Sequence, residues 1–540
     1  MAAQIRFPGL EAALNDWETL LGTEAVTRDA ERLAARSRAT FATPNTTLAI
    51  LRPADTCQVR RCLNIARRYR VPVYPVSTGR NWGYGSMALP GDGGVALLLD
   101  RMDRILDYDP ELGTVTVEPG VTQQQLHDFL REQGDHFWLD VTGSSPHCSV
   151  LGNSIERGFG HTPYADHFAH VSGLQVVTGD GTVLETGFGR FENARAAAAY
   201  KWGVGPYLDG LFSQSGLGVV TAARLWLMPK PEAFTYFQVS IRDDAELEPL
   251  IDALRELRMA GHIRSAVHVA NPFKVYSAME SYPWEQMNGE TPLDPDIVRD
   301  HLDRLGIGAW SFSGALYGSR EQIRVAKKAI RRRLRASLDV CQMRFMSAER
   351  LTTLERFKRP LGRLTRLPLD QMLAFMRALF GIKQGVPTDA MLPSTYWRKR
   401  EPPPSDPDPD RDGCGLFWCA PVAPLKGADA RTMVAIANEV FARHGYEPML
   451  SMTVISERAL DNVIALHYDR DIPGEDARAM TCYQELLERL MDAGYYPYRL
   501  GIQSMETLRA RSGKGWNHTL ARIREALDPD GILAPGRYPA

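Results

Sequence analysis

The sequence lacks several features that would mark a specialised class of protein. It has only seven cysteines among 540 residues, an odd number, and no Cys-x-x-Cys pair. A disulfide framework and a structural zinc site are therefore not expected, and we predict no bound metal. Residues Met1 to Leu14 contain neither a basic segment followed by a long apolar run nor a run long enough to cross a bilayer. We expect a cytoplasmic protein without a membrane segment.

An excess of charge of either sign is also absent. Lysine and arginine together number 63 and aspartate and glutamate 65, which leaves a net charge of -2. Such a balance produces no overall field that would attract nucleic acid or an anionic membrane. One basic run, from Lys327 to Arg335, has apolar residues at helical spacing, which is typical of a solvated helix face. A docking surface for an acidic electron-transfer partner is the alternative. Nucleic-acid binding is not expected, because no aromatic residues interleave with the charges.

The composition is that of a large globular protein, with 44% hydrophobic and 24% charged residues, and the length favours two domains. Between Arg68 and Val220 short strand patterns alternate with helical ones, so this part is mixed α/β. Longer amphipathic stretches follow Pro231, which suggests a domain boundary there. The stretch from Glu401 to Asp412 contains five prolines among acidic residues, and we expect it to form an exposed loop.

A glycine-rich segment, Pro75 to Gly85, begins within the apolar strand pattern Val71 to Val76 and continues beyond it. Glycines let successive backbone N–H groups converge on a phosphate, and Arg80 adds a positive charge. The spacing matches neither the dinucleotide Gly-x-Gly-x-x-Gly pattern nor a Walker loop. An ordinary turn is the alternative interpretation of this segment taken alone.

A second unusual segment extends from Gly143 to His167. It concentrates small, hydrogen-bonding and titratable residues without the apolar periodicity that core packing requires. Such a composition suits a backbone wrapped round a polar cofactor, and a long surface loop is the alternative.

Five blocks of sequence, taken together, carry a family resemblance. They are Gly79-Arg-Asn-Trp-Gly-Tyr-Gly85; Gly152-Asn-Ser-Ile-Glu-Arg-Gly158 with Thr162-Pro-Tyr-Ala-Asp-His167; Gly205-Pro-Tyr-Leu-Asp-Gly-Leu-Phe-Ser-Gln-Ser215; Tyr498-Arg499; and Asp528-Pro-Asp-Gly-Ile-Leu-Ala-Pro-Gly536. In this order they resemble the vanillyl-alcohol oxidase and p-cresol methylhydroxylase (PCMH) flavoproteins. The resemblance implies an α+β fold, with a PCMH-type FAD-binding domain completed by the C-terminal tail and an inserted α+β cap domain. The implied ranges are 1–231 and 496–540 for the FAD domain and 232–495 for the cap.

The resemblance also implies that the cofactor is FAD. Matched positions place its binding in the two glycine-containing segments, in a later strand and in the C-terminal tail. The implied FAD-binding residues are Ser77, Thr78, Gly79, Arg80, Asn81, Gly83, Gly143, Ser144, Gly152, Asn153, Glu156, Arg157, Gly158, Gly160, Tyr164, Val219 and Arg537.

By the same matching, Tyr84, Tyr498 and Arg499 are implied to bind the phenolate oxygen of a substrate. Two phenolic donors and a permanent cation lower the pKa of a bound phenol and hold it ionised. Asp166 is implied to be the acid–base residue near flavin N5. Structural packing is the alternative role for each tyrosine, and a turn or cap position is the alternative for Asp166. We expect His167 to be a structural hydrogen-bonding partner.

One position departs from the family pattern. Where vanillyl-alcohol oxidase has a histidine bonded covalently to the flavin, this chain has the segment Cys414 to Pro421, which contains no histidine. We therefore expect FAD to be bound non-covalently. Tyr396 and Cys148 are alternative attachment points, by analogy with tyrosyl and cysteinyl links in related flavoproteins. A buried free thiol is the ordinary role for Cys148.

The function implied by the resemblance is an FAD-dependent oxidoreductase that removes hydride from the benzylic carbon of a 4-alkylphenol or 4-hydroxybenzyl alcohol and forms a quinone methide. The alternative is a flavin oxidase or dehydrogenase of the same fold that acts on a non-phenolic alcohol. The implied partners are a small aromatic substrate and a second copy of the chain in a homodimer. Oxygen, a cytochrome and other acceptors all stay open as the electron acceptor.

Overall fold

The computed structural model describes residues 7–356 and 369–538. Its helices are α1 (Leu10–Leu21), α2 (Ala30–Arg36), α3 (Thr56–Tyr69), α4 (Gln123–Glu132), α5 (Val150–Ile155), α6 (Leu247–Met259), α7 (Pro272–Ser277), α8 (Pro295–Arg304), α9 (Arg320–Arg335), α10 (Ala348–Arg356), α11 (Leu369–Ile382), α12 (Gly427–His444), α13 (Glu475–Asp492), α14 (Met505–Arg511) and α15 (Lys514–Leu527). Its strands are β1 (Val26–Thr27), β2 (Thr47–Leu51), β3 (Val73–Val76), β4 (Gly94–Leu98), β5 (Ile105–Asp109), β6 (Thr114–Val117), β7 (Phe137–Trp138), β8 (Val171–Thr178), β9 (Val183–Glu185), β10 (Gly218–Trp226), β11 (Met228–Pro229), β12 (Ala233–Ile241), β13 (Val267–Ala270), β14 (Trp310–Gly318), β15 (Val340–Met346), β16 (Cys414–Cys419), β17 (Val422–Pro424), β18 (Met449–Val454) and β19 (Ala459–Asp469).

The first sheet has four strands in the order β1-β2-β4-β3. Strands β2, β4 and β3 run parallel, and β1 pairs with β2 antiparallel. Helices α1 and α3 pack on this sheet, and their residues Trp17, Val59 and Leu63 share one buried cluster with its strands. A sheet that is covered in this way needs apolar strands. The glycine-rich segment follows β3. It therefore leaves the carboxyl end of a parallel strand, which is where α/β sheets bind ligands.

The second sheet has five antiparallel strands in the order β5-β6-β10-β8-β9. Val117 and Val176 of this sheet share a buried cluster with Leu126 of α4 and Leu151 of α5. Helix α5 lies within the segment from Gly143 to His167. The packing of α5 therefore fixes this otherwise irregular segment against the second sheet.

The third sheet has eight strands. Seven follow the order β15-β12-β14-β13-β18-β19-β16, and β17 pairs with β19. All of its pairs are antiparallel. Phe237, Val269, Phe312 and Met452 lie on one face, in a buried cluster with helices α6, α9, α12 and α13. Because side chains alternate along a strand, the polar residues between them lie on the opposite face.

The chain returns to the first sheet after α13. Leu533 forms a parallel bridge with Val73 in β3, and the hydroxyl of Tyr74 donates to the carbonyl of Pro535 at 3.0 Å. The C-terminal segment thus lies beside the strand that carries the glycine-rich segment. The boundaries expected at residues 231 and 495 fall between β11 and β12 and just after α13, and the division into domains stays a prediction.

The basic run forms part of α9, where Lys327 and Arg331 lie over the ring of Phe345, 5.9 and 4.7 Å from its centroid. The proline-rich stretch 401–412 forms neither helix nor strand, as expected. It is not wholly exposed, however, because Pro409 is buried. A carboxylate oxygen of Asp408 lies 3.7 Å from the Arg80 guanidinium. The loop therefore borders the glycine-rich segment. No helix in residues 7–356 or 369–538 is long and apolar enough to cross a membrane.

Candidate active site

The glycine-containing segments beside the first two sheets and the polar face of the third sheet border a cavity of about 1140 Å³. Small-molecule pockets usually measure about 300–1,000 Å³, so this cavity has room for a cofactor and a substrate together. Residues of the C-terminal return also contribute to its wall. Three distant parts of the chain are thus needed to form it.

Most of the residues expected to bind FAD line this cavity. They are Ser77, Thr78, Gly79, Arg80, Asn81, Gly143, Ser144, Gly152, Asn153, Glu156, Gly158, Gly160 and Arg537. Gly79 has a φ of +75°, and a Cβ there would lie 2.5 Å from Cγ of Met87, so the turn requires glycine. A tight loop with small hydroxyl side chains and guanidinium groups fits a dinucleotide with phosphates. The residues present therefore suit FAD.

Glu156 joins this wall to the C-terminal return. The guanidinium of Arg537 donates to the Glu156 carboxylate, and the hydroxyl of Tyr538 approaches its other oxygen at 3.4 Å. Nε of Arg499 lies 3.6 Å from that second oxygen. One carboxylate thus holds two arginines that come from the C-terminal part of the chain.

Two of the expected FAD-binding residues lie behind the cavity wall. A Cβ at Gly83 would clash with the ring of Trp418, and the Gly83 N–H donates to Oγ1 of Thr40 at 3.0 Å. Val219 pairs with Val177 in the second sheet and is fully buried. Both residues support the wall from outside the cavity, and their expected contact with the cofactor stays a prediction.

Arg157 and Tyr164 also make contacts elsewhere. Nε and Nη2 of Arg157 donate to Oγ of Ser213 at 3.0 and 2.8 Å. The ring of Tyr164 stacks on His170, with centroids 3.9 Å apart. Neither residue lines the cavity, and their expected role in FAD binding stays a prediction.

Asp166 does not reach the cavity. Its side chain is exposed, and its Oδ1 accepts a hydrogen bond from the Ala169 N–H at 3.0 Å. This position does not support the expected acid–base role beside the flavin, which stays a prediction, and the observed contacts are those of the turn-cap alternative. His167 makes structural hydrogen bonds, as expected. Its ring nitrogens lie 2.6 Å from Oδ1 of Asn153 and 3.0 Å from Oδ1 of Asp140.

The three residues expected to bind a phenolate meet in the cavity. The Cζ atom of Arg499 lies 4.4 Å from the Tyr84 ring centroid, and the Tyr498 hydroxyl interacts with both residues. Burial raises the pKa of Tyr498 to about 12 and that of Tyr84 well above its usual range. Both phenols therefore stay protonated at neutral pH. Two O–H donors beside a guanidinium make a site for an oxyanion.

The sequence alone does not reveal Asp461, which lines the same part of the cavity. This residue is 2% exposed, and its Oδ1 has no hydrogen-bond partner among the described residues. Burial raises the pKa of its carboxyl group well above the usual range. Its charge would also raise the pKa of Tyr84 and Tyr498, so the three side chains are close enough to interact. A neutral carboxylic acid adds a further hydrogen-bond donor at this site.

Asp461 ends a row of cross-strand partners on the polar face of the third sheet. The register gives the row Asp461, Thr453, His268, Ser313, Gln238 and Arg344, and all six residues line the cavity. Adjacent strands lie about 4.8 Å apart, so the row extends for roughly 24 Å. It leads from a buried end at Asp461 to an exposed end at Arg344. The row therefore forms one polar wall of the cavity.

The expected attachment points for a covalent flavin are not all in the cavity. On β16 the cavity-lining residues are Leu416 and Trp418, neither of which forms a flavin bond. Tyr396 does not line the cavity, and its hydroxyl donates to Oδ2 of Asp412 at 2.6 Å. Cys148 does line it, but burial raises the pKa of its thiol, and Sγ lies 3.0 Å from Oγ of Ser144. The thiolate that would act as a nucleophile is therefore disfavoured.

Comparison with known proteins agrees with this geometry. Residues 47–187 match the model of the FAD binding domain. The chain is 42% identical to 1'-carboxy-chondrochloren decarboxylase from Chondromyces crocatus, over 98% of this chain and 97% of that protein. It is 30% identical to the 4-cresol dehydrogenase [hydroxylating] flavoprotein subunit from Pseudomonas putida, over 97% and 94% of the two chains. The crystal structure of p-cresol methylhydroxylase with substrate bound superposes with a TM-score of 0.87, at 29% identity, and covers 98% of this chain and 97% of its own.

The fold, the cavity and the domain match together define an FAD-dependent oxidoreductase. The relatives extend over nearly the whole chain, well beyond the residues matched by the FAD binding domain. The chain belongs to the p-cresol methylhydroxylase-type flavoprotein family.

Proposed function

We propose that the protein oxidises a para-substituted phenol at its benzylic carbon. The observation that carries the proposal is the convergence of Tyr84, Tyr498 and Arg499 in one cavity beside the residues suited to FAD. A site with two O–H donors and a guanidinium stabilises a phenolate more than a phenol. A non-phenolic alcohol gains nothing from such a site.

The chain's own residues would prepare the substrate. Tyr84 and Tyr498 would donate hydrogen bonds to the phenol oxygen while Arg499 offsets its charge, so the phenol loses its proton on binding. The phenolate then pushes electron density towards its para carbon. FAD supplies the acceptor for the hydride that leaves the benzylic carbon. The substrate becomes a neutral quinone methide, which water, loss of a proton or loss of a neighbouring group converts to product.

Asp461 would assist at the same oxygen. Because its carboxyl group is buried and neutral, it adds no negative charge next to the developing phenolate. A carboxylate there would oppose ionisation of the substrate, since like charges raise each other's energy in a buried site. As an acid it donates a hydrogen bond and supports the same anion.

A second candidate function is oxidative decarboxylation of a para-substituted phenol. The observation that favours it is the 42% identity to a protein named as a decarboxylase. In this reaction hydride leaves the benzylic carbon as before, and a carboxylate on the adjacent carbon then leaves as CO₂. The electron pair of the broken C–C bond forms a new C=C bond, and the quinone methide becomes a phenolate again. Each turnover consumes one oxidised flavin and releases one CO₂.

The decisive experiment is anaerobic reduction of the bound flavin by a set of matched compounds. We expect bleaching with 4-ethylphenol and 4-hydroxybenzyl alcohol, and none with 4-ethylanisole, whose blocked oxygen cannot ionise. Bleaching by benzyl alcohol at the same rate would overturn the proposal in favour of a non-phenolic alcohol. Release of CO₂ from 3-(4-hydroxyphenyl)propanoate, in amounts equal to the flavin reduced, would assign the second candidate.

A further inference from the structure

Three basic side chains from separate parts of the chain line the cavity together. They are His161, next to Gly160 in the segment beside the second sheet; His268, in β13 of the third sheet; and Lys383, immediately after α11. The ring centroids of His161 and His268 lie 4.7 Å apart. The charge of Lys383 lowers the pKa of both histidines, so its ammonium group is close to each ring. We refer to these three residues as the basic cluster.

Each member of the basic cluster has a polar atom without a hydrogen-bond partner among the described residues. These atoms are Nδ1 of His161, Nε2 of His268 and Nζ of Lys383. Lys383 is only 1% exposed, and its backbone carbonyl accepts a hydrogen bond from the Tyr317 hydroxyl at 2.7 Å. A buried ammonium that lacks partners is costly, and proteins usually pair such a group.

The acid near the cluster is already engaged. Asp140 accepts hydrogen bonds from the N–H groups of His161 and Thr162 at 2.9 and 2.7 Å, and the ring of His167 lies 3.0 Å from its Oδ1. Burial lowers the pKa of Lys383 to about 7, although Asp140 opposes that change. The ammonium of Lys383 therefore lacks a direct counter-ion among the described residues.

We propose that Lys383, His161 and His268 form a subsite that binds a carboxylate on the side chain of the substrate. The proposal rests on the proposed function, because it extends the same cavity to the substituent of the phenol. Nδ1 of His268 lies 3.1 Å from Oγ1 of Thr453. If that hydroxyl donates to Nδ1, then Nε2 carries the proton and donates into the subsite.

The position and charge of the basic cluster select this ligand. His268 lies two strands from Asp461 in the cross-strand row, a separation of about 10 Å between their backbones. An acid group attached beyond the benzylic carbon reaches that far when the phenol oxygen lies at Tyr84 and Tyr498. Burial keeps both imidazoles neutral at pH 7, so the cluster carries at most one positive charge. One positive charge matches a carboxylate better than a doubly charged phosphate.

The test compares ligands that differ only in the groups concerned. They are 3-(4-hydroxyphenyl)propanoate, 4-propylphenol, which has no carboxylate, and 3-phenylpropanoate, which has no phenol oxygen. Affinities for the FAD-loaded enzyme come from anaerobic stopped-flow reduction for the two phenols and from changes in flavin absorbance for 3-phenylpropanoate. The variants are Lys383→Met, Lys383→Arg and, as a matched control on an exposed helix, Lys514→Met.

We expect wild type to bind 3-(4-hydroxyphenyl)propanoate at least about tenfold tighter than 4-propylphenol, as a charge-assisted hydrogen bond would produce. Lys383→Met should weaken both carboxylates by about tenfold or more and change 4-propylphenol by less than about twofold. Lys383→Arg should recover part of the loss, and Lys514→Met should match wild type.

Equal affinity of wild type for the acid and for 4-propylphenol would overturn the subsite without any variant. An equal loss of affinity for all three ligands in Lys383→Met would also overturn the subsite. So would an altered flavin spectrum of Lys383→Met before ligand is added, because the ammonium of Lys383 would then contact the cofactor. Failure of the proposed function is distinguishable. If neither phenol bleaches the flavin, binding of 3-phenylpropanoate still tests the subsite.

Discussion

The guanidinium carbon of Arg499 lies 4.4 Å from the ring centroid of Tyr84, and Nη2 of the same side chain donates to Oδ1 of Asn81 at 2.5 Å. Arg499 therefore contacts the glycine-rich segment through both its planar face and its edge. A stacked, hydrogen-bonded guanidinium is held in one orientation, and its charge lies close to the hydroxyl of Tyr498. Both proposed functions depend on this geometry.

Arg499→Lys tests whether the shape of that group matters in addition to its charge. Lysine keeps the positive charge but cannot stack on Tyr84 and donate to Asn81 at once. We expect a bound 4-alkenylphenol to ionise below its solution pKa in wild type, and the shift to shrink by about one unit or more in the variant, which corresponds to about 1.4 kcal/mol. Difference spectra recorded across a pH titration measure the shift.

The matched control for this change is Arg324→Lys, on an exposed face of α9. It should leave the spectra unchanged. If the phenol pKa in the wild-type complex equals the solution value, the phenolate mechanism is wrong and a non-phenolic alcohol is favoured as the substrate.

Asp461→Asn tests whether the buried carboxyl group acts in its neutral form. Asparagine has nearly the shape of a protonated aspartate and retains an N–H donor, and burial already keeps the acid neutral. We expect the rate of flavin reduction to fall by less than about tenfold, whereas Asp461→Ala should lose the donor and fall further. Anaerobic stopped-flow reduction with 4-ethylphenol measures both. A drop of more than about a hundredfold in Asp461→Asn would instead indicate a base that must ionise.

FAD should leave the protein when the chain is denatured. The cavity-lining residues of β16 are Leu416 and Trp418, and Tyr396 is occupied by Asp412 outside the cavity. Cys148 lies in the cavity but is held as a thiol. Precipitation with acid should therefore leave the yellow colour in the supernatant. Colour that stays in the pellet contradicts this prediction, and its loss in Cys148→Ser or Tyr396→Phe would identify the attachment point.

Asp166→Ala should leave catalysis intact. The side chain is exposed and its only described hydrogen bond caps the turn at Ala169, so the variant should lose about 1 kcal/mol of stability or less. Flavin reduction by a good substrate should keep its wild-type rate within about twofold, since groups that transfer protons typically contribute 10²–10⁴-fold. A hundredfold slower reduction with unchanged FAD content would restore the acid–base role that the sequence resemblance implies.

The sequence predicts the cofactor and the fold class because their signals are local. It also predicts three residues, Tyr84, Tyr498 and Arg499, that meet in the cavity, and their phenolate-binding role stays a prediction. The glycine-rich segment follows its strand directly, and Tyr498 and Arg499 are adjacent. The same matching gives Asp166 a role that its position does not support, because a motif position does not show which way a loop side chain points. That direction is set here by the Ala169 N–H, which captures the carboxylate.

The polar face of the third sheet could not be predicted in the same way. Asp461, His268 and Gln238 are far apart in the sequence, and they share one row only because of the strand order and the register of four strand pairs. A shift of one residue in any pair would turn a strand's polar side chains to the opposite face. In the sequence Lys383 is likewise an isolated basic residue, and only the packing places it beside His161 and His268.

The contacts around Glu156 and Arg499 join residues that lie far apart in the sequence, and this affects how the site forms during synthesis of the protein. Asn81 and Arg499 are 418 positions apart, and Glu156 and Arg537 are 381 apart. At about 5–20 residues per second, a ribosome needs roughly 20 to 80 s to travel from one half of the site to the other. The glycine-rich segments therefore emerge long before the arginines that close the cavity. During that interval the nascent chain contains only part of the FAD site, and the cavity is still open. We therefore expect FAD to bind tightly only after the C-terminal return has docked.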